Sequence, residues 1–314
     1  MVQQSSERYY ASSTQYPLPA DKAETQRLNR QHDIILRAFD DRLSVAPISL
    51  KNGDRVLESA AGSGIWALEF FEKNRVNGIL IDMECIDISL KQFPHTHPPE
   101  MHFSVNTITD LPPEWTNTFS YVHQRLLVTA MTDSLWRSAI AEISRVVQPG
   151  GWVEFLEIDF EYLRWGVGPQ SKKLTTLVRN MCMQRGMVRD MSVYLPALLE
   201  DAGFLDVQCV TRHVSIGGEL NYSGNGEVNG EGRNYEQNEK VRNGYSTEEW
   251  RNLCLGMKGP IVQAGGYGIV QSGEEYEALL EGSSLEWKTS GGTNTSFYAI
   301  TARKPCDSII NEQY

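Results

Sequence analysis

Glu58-Ser59-Ala60-Ala61-Gly62-Ser63-Gly64 sets one carboxylate ahead of a run of small residues, a combination suited to close approach of a polar ligand. Glycine and alanine leave backbone N–H groups uncovered, and a helix opening at Ile65 adds unsatisfied N–H groups behind them. Such a turn fits a nucleotide or nucleoside. It is neither the dinucleotide pattern G-x-G-x-x-G nor a P-loop, because no Gly-Lys-Ser/Thr follows. A second carboxylate, Asp82, stands 24 positions beyond Glu58, a spacing at which a strand-end acid accepts ribose hydroxyls. The alternative for Asp82 is a solvated carboxylate with no ligand.

Groups suited to proton transfer lie further on. His123 ends a short apolar run, and an imidazole titrates near neutrality; it reads equally as a structural histidine. Glu157 and Asp159 close another run and could orient an acceptor hydroxyl, although strand-end carboxylates facing water need no function. Arg125 could hold a carboxylate or simply pair with Glu142. Trp165, Met181, Met183, Met187 and Trp250 read either as lining of an apolar pocket or as core. His32 reads as a helix histidine packed on a sheet. His95 and His97 sit among prolines without further ligands, so no metal is assigned.

The elements that must position these groups alternate. A helix from Asp21 to about Arg42 starts on the capping-box pair Asp21 and Glu24 and aligns Leu28, Ile35, Phe39 and Leu43. Strand, helix, strand and helix follow from Arg55, with strands read at 55–58, 78–81, 102–105, 119–123 and 152–158. A helix over 133–147 is stopped by Pro149-Gly150-Gly151. Helices at 172–185 and 193–202, a strand at 205–214, two helices with capping boxes at Ser246 and Ser272, and a strand at 297–303 complete the pattern. Alternation at this spacing predicts an α/β fold with a doubly wound, mostly parallel seven-stranded sheet.

Composition narrows the classes. The 314 residues carry 29 basic and 40 acidic side chains, a net charge of −11 that disfavours a general nucleic-acid binder. Five scattered cysteines form no C-x-x-C pair, against a zinc site or a disulfide framework. No apolar run reaches the ~20 residues of a membrane helix, and no signal sequence opens the chain. An intracellular, cytoplasmic protein is expected. Residues 217–245, rich in Gly, Asn and Glu, read as a flexible loop.

The motifs also occur in a telling order. Tyr16-x-Leu18-Pro19-x-Asp21, Gln31-His32, Glu58…Gly62-x-Gly64-Ile65-Trp66, Phe119-x-Tyr121-Val122-His123-x-Arg125 and Pro149-Gly150-Gly151-Trp152-x-Glu154 together resemble the large fungal methyltransferase family that includes methyltransferase-like regulators of secondary metabolism. The resemblance is strong over residues 9–165. It implies a class I, Rossmann-like methyltransferase fold, S-adenosylmethionine as cofactor with S-adenosylhomocysteine as product, and a fungal source. It assigns cofactor contacts to Glu58, Ala60, Gly62, Gly64, Asp82, Met83, Asn106, Thr107, Ile108, His123 and Arg125. Tyr9, Tyr10 and Tyr16 read either as a lid over the cofactor or as part of a disordered tail, which composition favours, and Trp165 as substrate lining or core. Family members have glycine where Ala60 stands, which is strained if φ is positive there. Asn106-Thr107 replaces an acidic pair, leaving neutral acceptors for adenine.

The organisation expected is an N-terminal tail and helix (1–50), a cofactor-binding α/β core (51–216), the loop (217–245), and lid helices with a last strand (246–314). The expected function is methyl transfer to oxygen, nitrogen or carbon of a small molecule in secondary metabolism, with His123 and Glu157 as the candidate catalytic residues. Two alternatives stand beside it. One is a nuclear regulator acting through protein partners; the other is an enzyme of this fold catalysing cyclisation or elimination.

Overall fold

The computed structural model describes residues 22–161, 163, 165–217, 244–289 and 293–306. Tyr9, Tyr10 and Tyr16, and most of the expected loop at 217–245, lie outside the described residues. The chain begins with α1 (Lys22–Ala38), then β1 (Arg55–Ser59), α2 (Ile65–Val76), β2 (Asp82–Asp87), β3 (Met101–Val105) and β4 (Phe119–Arg125). There follow α3 (Asp133–Val146), β5 (Val147–Ile158), α4 (Pro169–Gln184), α5 (Met191–Asp201) and β6 (Leu205–Ile216). The remainder is β7 (Gly244–Tyr245), α6 (Thr247–Gly256), α7 (Lys258–Gln263), α8 (Gly273–Thr289) and β8 (Asn294–Arg303).

The strands form one sheet in the order β3-β2-β1-β4-β5-β8-β6-β7. Pairs from β3 to β5 are parallel, and β8 runs antiparallel between β5 and β6. The doubly wound, mostly parallel sheet expected from the sequence is present, with eight strands rather than seven. The eighth is the two-residue β7, pairing Gly244 and Tyr245 with Ser215 and Ile216; a piece so short has no periodicity to read.

Two apolar clusters cover the two faces. Trp66, Phe70 and Phe71 of α2 pack with Val56, Met83, Cys85 and Tyr121 on one. On the other, α3 supplies Trp136, Ile140 and Ile143 against Val122, Val153 and Phe155. Alternate residues of β1 and β4 thus bury on opposite sides, as a strand covered on both faces requires.

Two sequence motifs prove to be structural. Gly151 does not merely end α3: it lies inside β5, where a Cβ would meet the carbonyl oxygens of Gln148, Phe119 and Ser120 at 2.9–3.1 Å. Glu154 is buried and accepts hydrogen bonds from the Val45 and Ala46 N–H groups (both 2.8 Å), the Ser44 hydroxyl (3.1 Å) and the Tyr121 hydroxyl (3.0 Å). It pins the connection between α1 and β1 onto the sheet.

The expected strand at 78–81 is displaced. Residues 79–81 precede the strand, which starts at Asp82 and ends at Asp87. The apolar run Ile79-Leu80-Ile81 mimics a buried strand. The real one alternates, and Asp82 and Glu84 meet Arg55 at 3.4 and 2.7 Å near its start.

Candidate active site

One large cavity, about 240 Å³, opens at the carboxyl ends of β1, β2 and β4. That is where ligands bind in open α/β sheets. Its first wall is the turn after β1. Ala60 sits at φ +56° and Gly62 at +54°, so the chain folds back and presents its N–H groups. The Ala61 N–H donates to the Ile86 carbonyl at 2.9 Å, and the Gly62 N–H to Asp87 Oδ2 at 2.9 Å. Gly64, at φ +72°, starts α2, and a Cβ there would lie 2.9 Å from the Phe103 ring. Glycine is required at that position by both the dihedral and the space.

Asp87, not Asp82, is the acid beside this turn. Its second oxygen accepts the Ser89 N–H at 3.2 Å, which leaves lone pairs for a diol. Burial pushes its carboxyl upward, opposed by the N–H groups of Gly62, Ser89 and Ile88. Next to it, the Asn106 side-chain amide donates to Ser104 Oγ at 2.8 Å. That bond engages the amide NH2 and leaves Oδ1 as an acceptor. Thr107 and Ile108 line the same end.

At the other side of the turn stands a buried relay. Arg125 Nη1 donates to His32 Nδ1 at 2.9 Å, and His32 Nε2 lies 3.1 Å from Glu69 Oε2. With Nδ1 accepting, Nε2 carries the hydrogen and donates to Glu69. Burial lowers the His32 pKa, opposed by the Glu69 hydrogen bond, so the ring is neutral. Burial also lowers that of Arg125 from a value high enough to keep its charge. A cation therefore faces the cavity with its direction fixed by α1.

The second half of the cavity is apolar. The segment Leu126–Met131, Ile158, Phe160, Trp165, Trp250 and Phe297 enclose it. Leu126 holds φ +59°, strain that a β4–β5 hydrogen bond (Leu126 N–H to Leu156 O, 2.8 Å) sustains. Beneath, Glu157 is fully buried and accepts the Leu127 and Val128 N–H groups at 2.8 and 3.1 Å. Burial pushes its pKa up to about 8. Tyr245 and Trp250 complete the wall, their ring centroids 4.9 Å apart.

Of the residues singled out from the sequence, Ala60, Gly62, Asn106, Thr107, Ile108, Arg125 and Trp165 line the cavity. Glu58 and His123 do not. They are buried behind the turn, joined at 2.5 Å, with the His123 ring stacked on Trp66 at 3.7 Å. Glu157 props the wall from beneath, Gly64 shapes the turn, and Met83 is core. Asp82 lies at the opposite end of its strand and meets Arg55 and His102. Trp250 is a lining residue, whereas Met181 is core and Met183 is exposed. Asp87, Gln31 and Tyr245 were missed. An acid five residues past Asp82 was the available signal for the first; the other two come together only through packing. Among the described residues no cluster could hold a metal ion.

Comparison with known proteins agrees with this geometry. Residues 56–151 match the family model described as a methyltransferase domain. The chain is 35% identical over 144 residues to the N-methyltransferase sirN of Leptosphaeria maculans, covering 45% of this chain and 49% of that protein. With the N-methyltransferase tcpN of Claviceps purpurea it shares 26% identity over 269 residues, 82% of this chain and 86% of that one. With the secondary metabolism regulator LAE1 of Hypocrea atroviridis it shares 29% over 160 residues, 49% and 44% respectively. The chain thus spans about half the length of sirN and of the regulator. Motif order and sheet topology agree with these matches: residues 56–151 are similar to a methyltransferase domain, and the chain is similar to fungal N-methyltransferases.

Proposed function

We propose that the protein methylates a nitrogen atom of a small molecule in fungal secondary metabolism, working in the cytoplasm with S-adenosylmethionine. The observation that carries this reading is the two-part cavity: polar groups at the ends of β1, β2 and β4 run directly into an apolar chamber. N-methyltransferases named among the relatives favour nitrogen over oxygen or carbon. Among the described residues no helix is long and apolar enough to cross a membrane.

The residues present fit the cofactor. Asp87 would accept the ribose hydroxyls, Asn106 Oδ1 the adenine amino group, and Arg125 the amino-acid carboxylate. Gly62, whose added Cβ would press to 3.2 Å from Leu28, keeps the turn low enough for close approach. When bound, the sulfonium supplies an electrophilic methyl group. The chain contributes position: Arg125 is fixed by His32 and Glu69. In-line displacement gains most from such alignment. His123 and Glu157 do not reach the cavity, and both His32 ring nitrogens are engaged. The acceptor therefore arrives with its lone pair available, as an uncharged nitrogen does.

Titration calorimetry with S-adenosylmethionine and S-adenosylhomocysteine tests this. Asp87→Ala removes two acceptors from the turn and is expected to weaken binding by about 30-fold or more. Asp82→Ala is expected to bind like the unaltered protein. Equal losses in both variants, or no binding by the unaltered protein, would overturn the assignment.

The match to the regulator LAE1 favours a second reading, a nuclear protein acting through protein partners. That reading expects stable partners in a pull-down and regulation that survives Asp87→Ala. The first expects neither.

A further inference from the structure

Two arginines line the polar half of the cavity, and they are held differently. Arg27 is paired: its guanidinium donates to both oxygens of Glu24, at 2.7 and 2.8 Å, and to Gln31 Oε1 at 3.2 Å. Among the described residues Arg125 forms no salt bridge, and its hydrogen bond goes to a ring nitrogen, His32 Nδ1, at 2.9 Å. A guanidinium carries donors and no acceptor, so it bonds to an imidazole only through a ring lone pair. A second proton on His32 removes that lone pair. Nδ1–H would then face Arg125 as donor against donor, with like charges.

The ring has little room to turn away. His32 is 1% exposed, and Nε2 lies 3.1 Å from Glu69 Oε2 on α2. One helical turn earlier, Asn29 Oδ1 accepts the Ser63 hydroxyl at 2.7 Å, docking α1 on the turn after β1. The exposed alternative is absent, so the group that must yield is Arg125. Its aim therefore depends on one proton.

That proton is within reach. Three charged groups act on the ring: Glu69 from α2, Arg125 from β4 and Asp33 from its own helix. The two acids favour the doubly protonated ring, whereas burial and Arg125 oppose it, and burial is the larger effect. The ring is neutral near pH 7 and charges in acid, below its ordinary value of 6.5. Beyond Arg125 stand Glu58, joined to His123, and Tyr245, whose hydroxyl burial pushes up to about 12 and so keeps neutral.

We propose that His32 is a positioning residue that acts as a proton switch on cofactor grip. With one ring proton it aims Arg125 at the cofactor carboxylate; with two it releases Arg125, and the carboxylate is held less tightly. Cofactor and the second proton thus compete, although they bind different atoms. The proposal rests on the reading of the polar half as the S-adenosylmethionine site.

The test titrates S-adenosylhomocysteine into the full chain by calorimetry between pH ~5 and ~7, where its own carboxylate and amino group keep their charges. Affinity of the unaltered protein is expected to fall in acid, by up to about tenfold per pH unit once the ring is charged. His32→Ala should bind about tenfold more weakly at pH ~7. His32→Gln restores an acceptor that takes no proton, so it should recover part of that loss and show a flatter profile. Glu69→Gln removes a charge that favours the second proton, and the fall should move about one unit to lower pH. Asp87, whose carboxyl is also pushed upward, is the same in every chain, so its share of the fall is common to all.

A second readout is the ring itself. NMR of isotope-labelled histidine should show the His32 midpoint moving to lower pH when S-adenosylhomocysteine saturates the protein, as reciprocity requires. Should the His32 variants fail to fold, Glu69→Gln and this midpoint decide the matter. A flat profile, an equal fall in His32→Gln, an unmoved fall in Glu69→Gln, or a ring midpoint indifferent to ligand would overturn the switch and leave the cofactor site standing. No binding at pH ~7 by the unaltered protein would overturn the methyl-transfer reading, and the switch with it.

Discussion

The two halves of the cavity rest on buried carboxyl groups of different kinds. Under the cofactor half, Glu58 has a side-chain partner, His123 at 2.5 Å, clamped by the Trp66 ring. Under the acceptor half, Glu157 meets two backbone N–H groups, and burial pushes its pKa to about 8. The first support is a pair, and deleting one member strands the other. The second is close to a neutral hydrogen-bonding prop at the end of β5. Polar side chains position the cofactor half, whereas the acceptor half is shaped mainly by apolar packing.

Glu157 offers the largest effect. The folded chain keeps its proton up to about pH 8, whereas an unfolded glutamate releases it near 4.5. Between those values the folded state binds the extra proton, so stability falls as pH rises and levels off above about 8. Urea unfolding of the unaltered protein across this window should show the decline, with a slope of up to about 1.4 kcal/mol per pH unit from this one group. Glu157→Gln keeps an acceptor and should flatten the decline; an unchanged slope would break the contrast between the two supports.

Glu58→Ala should cost about 3 kcal/mol in the same assay, because His123 is left buried and unpaired. A loss below about 1 kcal/mol would mean that Trp66 stacking alone holds the histidine. Arg125→Met sharpens the comparison differently. It should weaken S-adenosylhomocysteine binding about tenfold, the worth of a charge-assisted hydrogen bond, and leave the pH dependence set by Glu157 intact. Loss of both would show that the halves are not separable. The smallest effect belongs to Ala60→Gly, which relieves a methyl group at φ +56°. It should raise stability by about 1 kcal/mol, read as an upward shift in Tm.

The sequence carried the local half of this site. Glu58 to Gly64 is a contiguous turn, and its small residues report their backbone geometry directly. Arg125 and Asn106-Thr107 follow strands whose apolar runs were readable. Asp82 misled because Ile79-Leu80-Ile81 looks like a buried strand, while the true strand alternates acids with Met83, Cys85 and Ile86. The boundary moved by a few residues, and the acid beside the turn is Asp87, at the other end of the strand. His123 read equally as a base and as a structural histidine from its strand-end position. Its burial follows from Trp66, a contact between elements that no spacing reveals. The apolar wall was the least legible part: Trp165 lies far along the chain from Tyr245 and Trp250, and only folding brings its ring 5.1 Å from that of Trp250.

The place of β8 has a consequence for how the molecule comes together. This strand, Asn294–Arg303, lies antiparallel between β5 and β6, so β6 and β7 reach the sheet only through it. Loop closure over so long a separation is slow compared with pairing of nearby strands. Strands β1 to β5 pair without it and carry Asp87 and Arg125, with Asn106 directly after β3. Tyr245, on β7, takes its place only when β8 has docked. The polar half of the cavity thus rests on the parallel strands β1 to β5 alone, whereas the wall at Tyr245 also needs β8 in place.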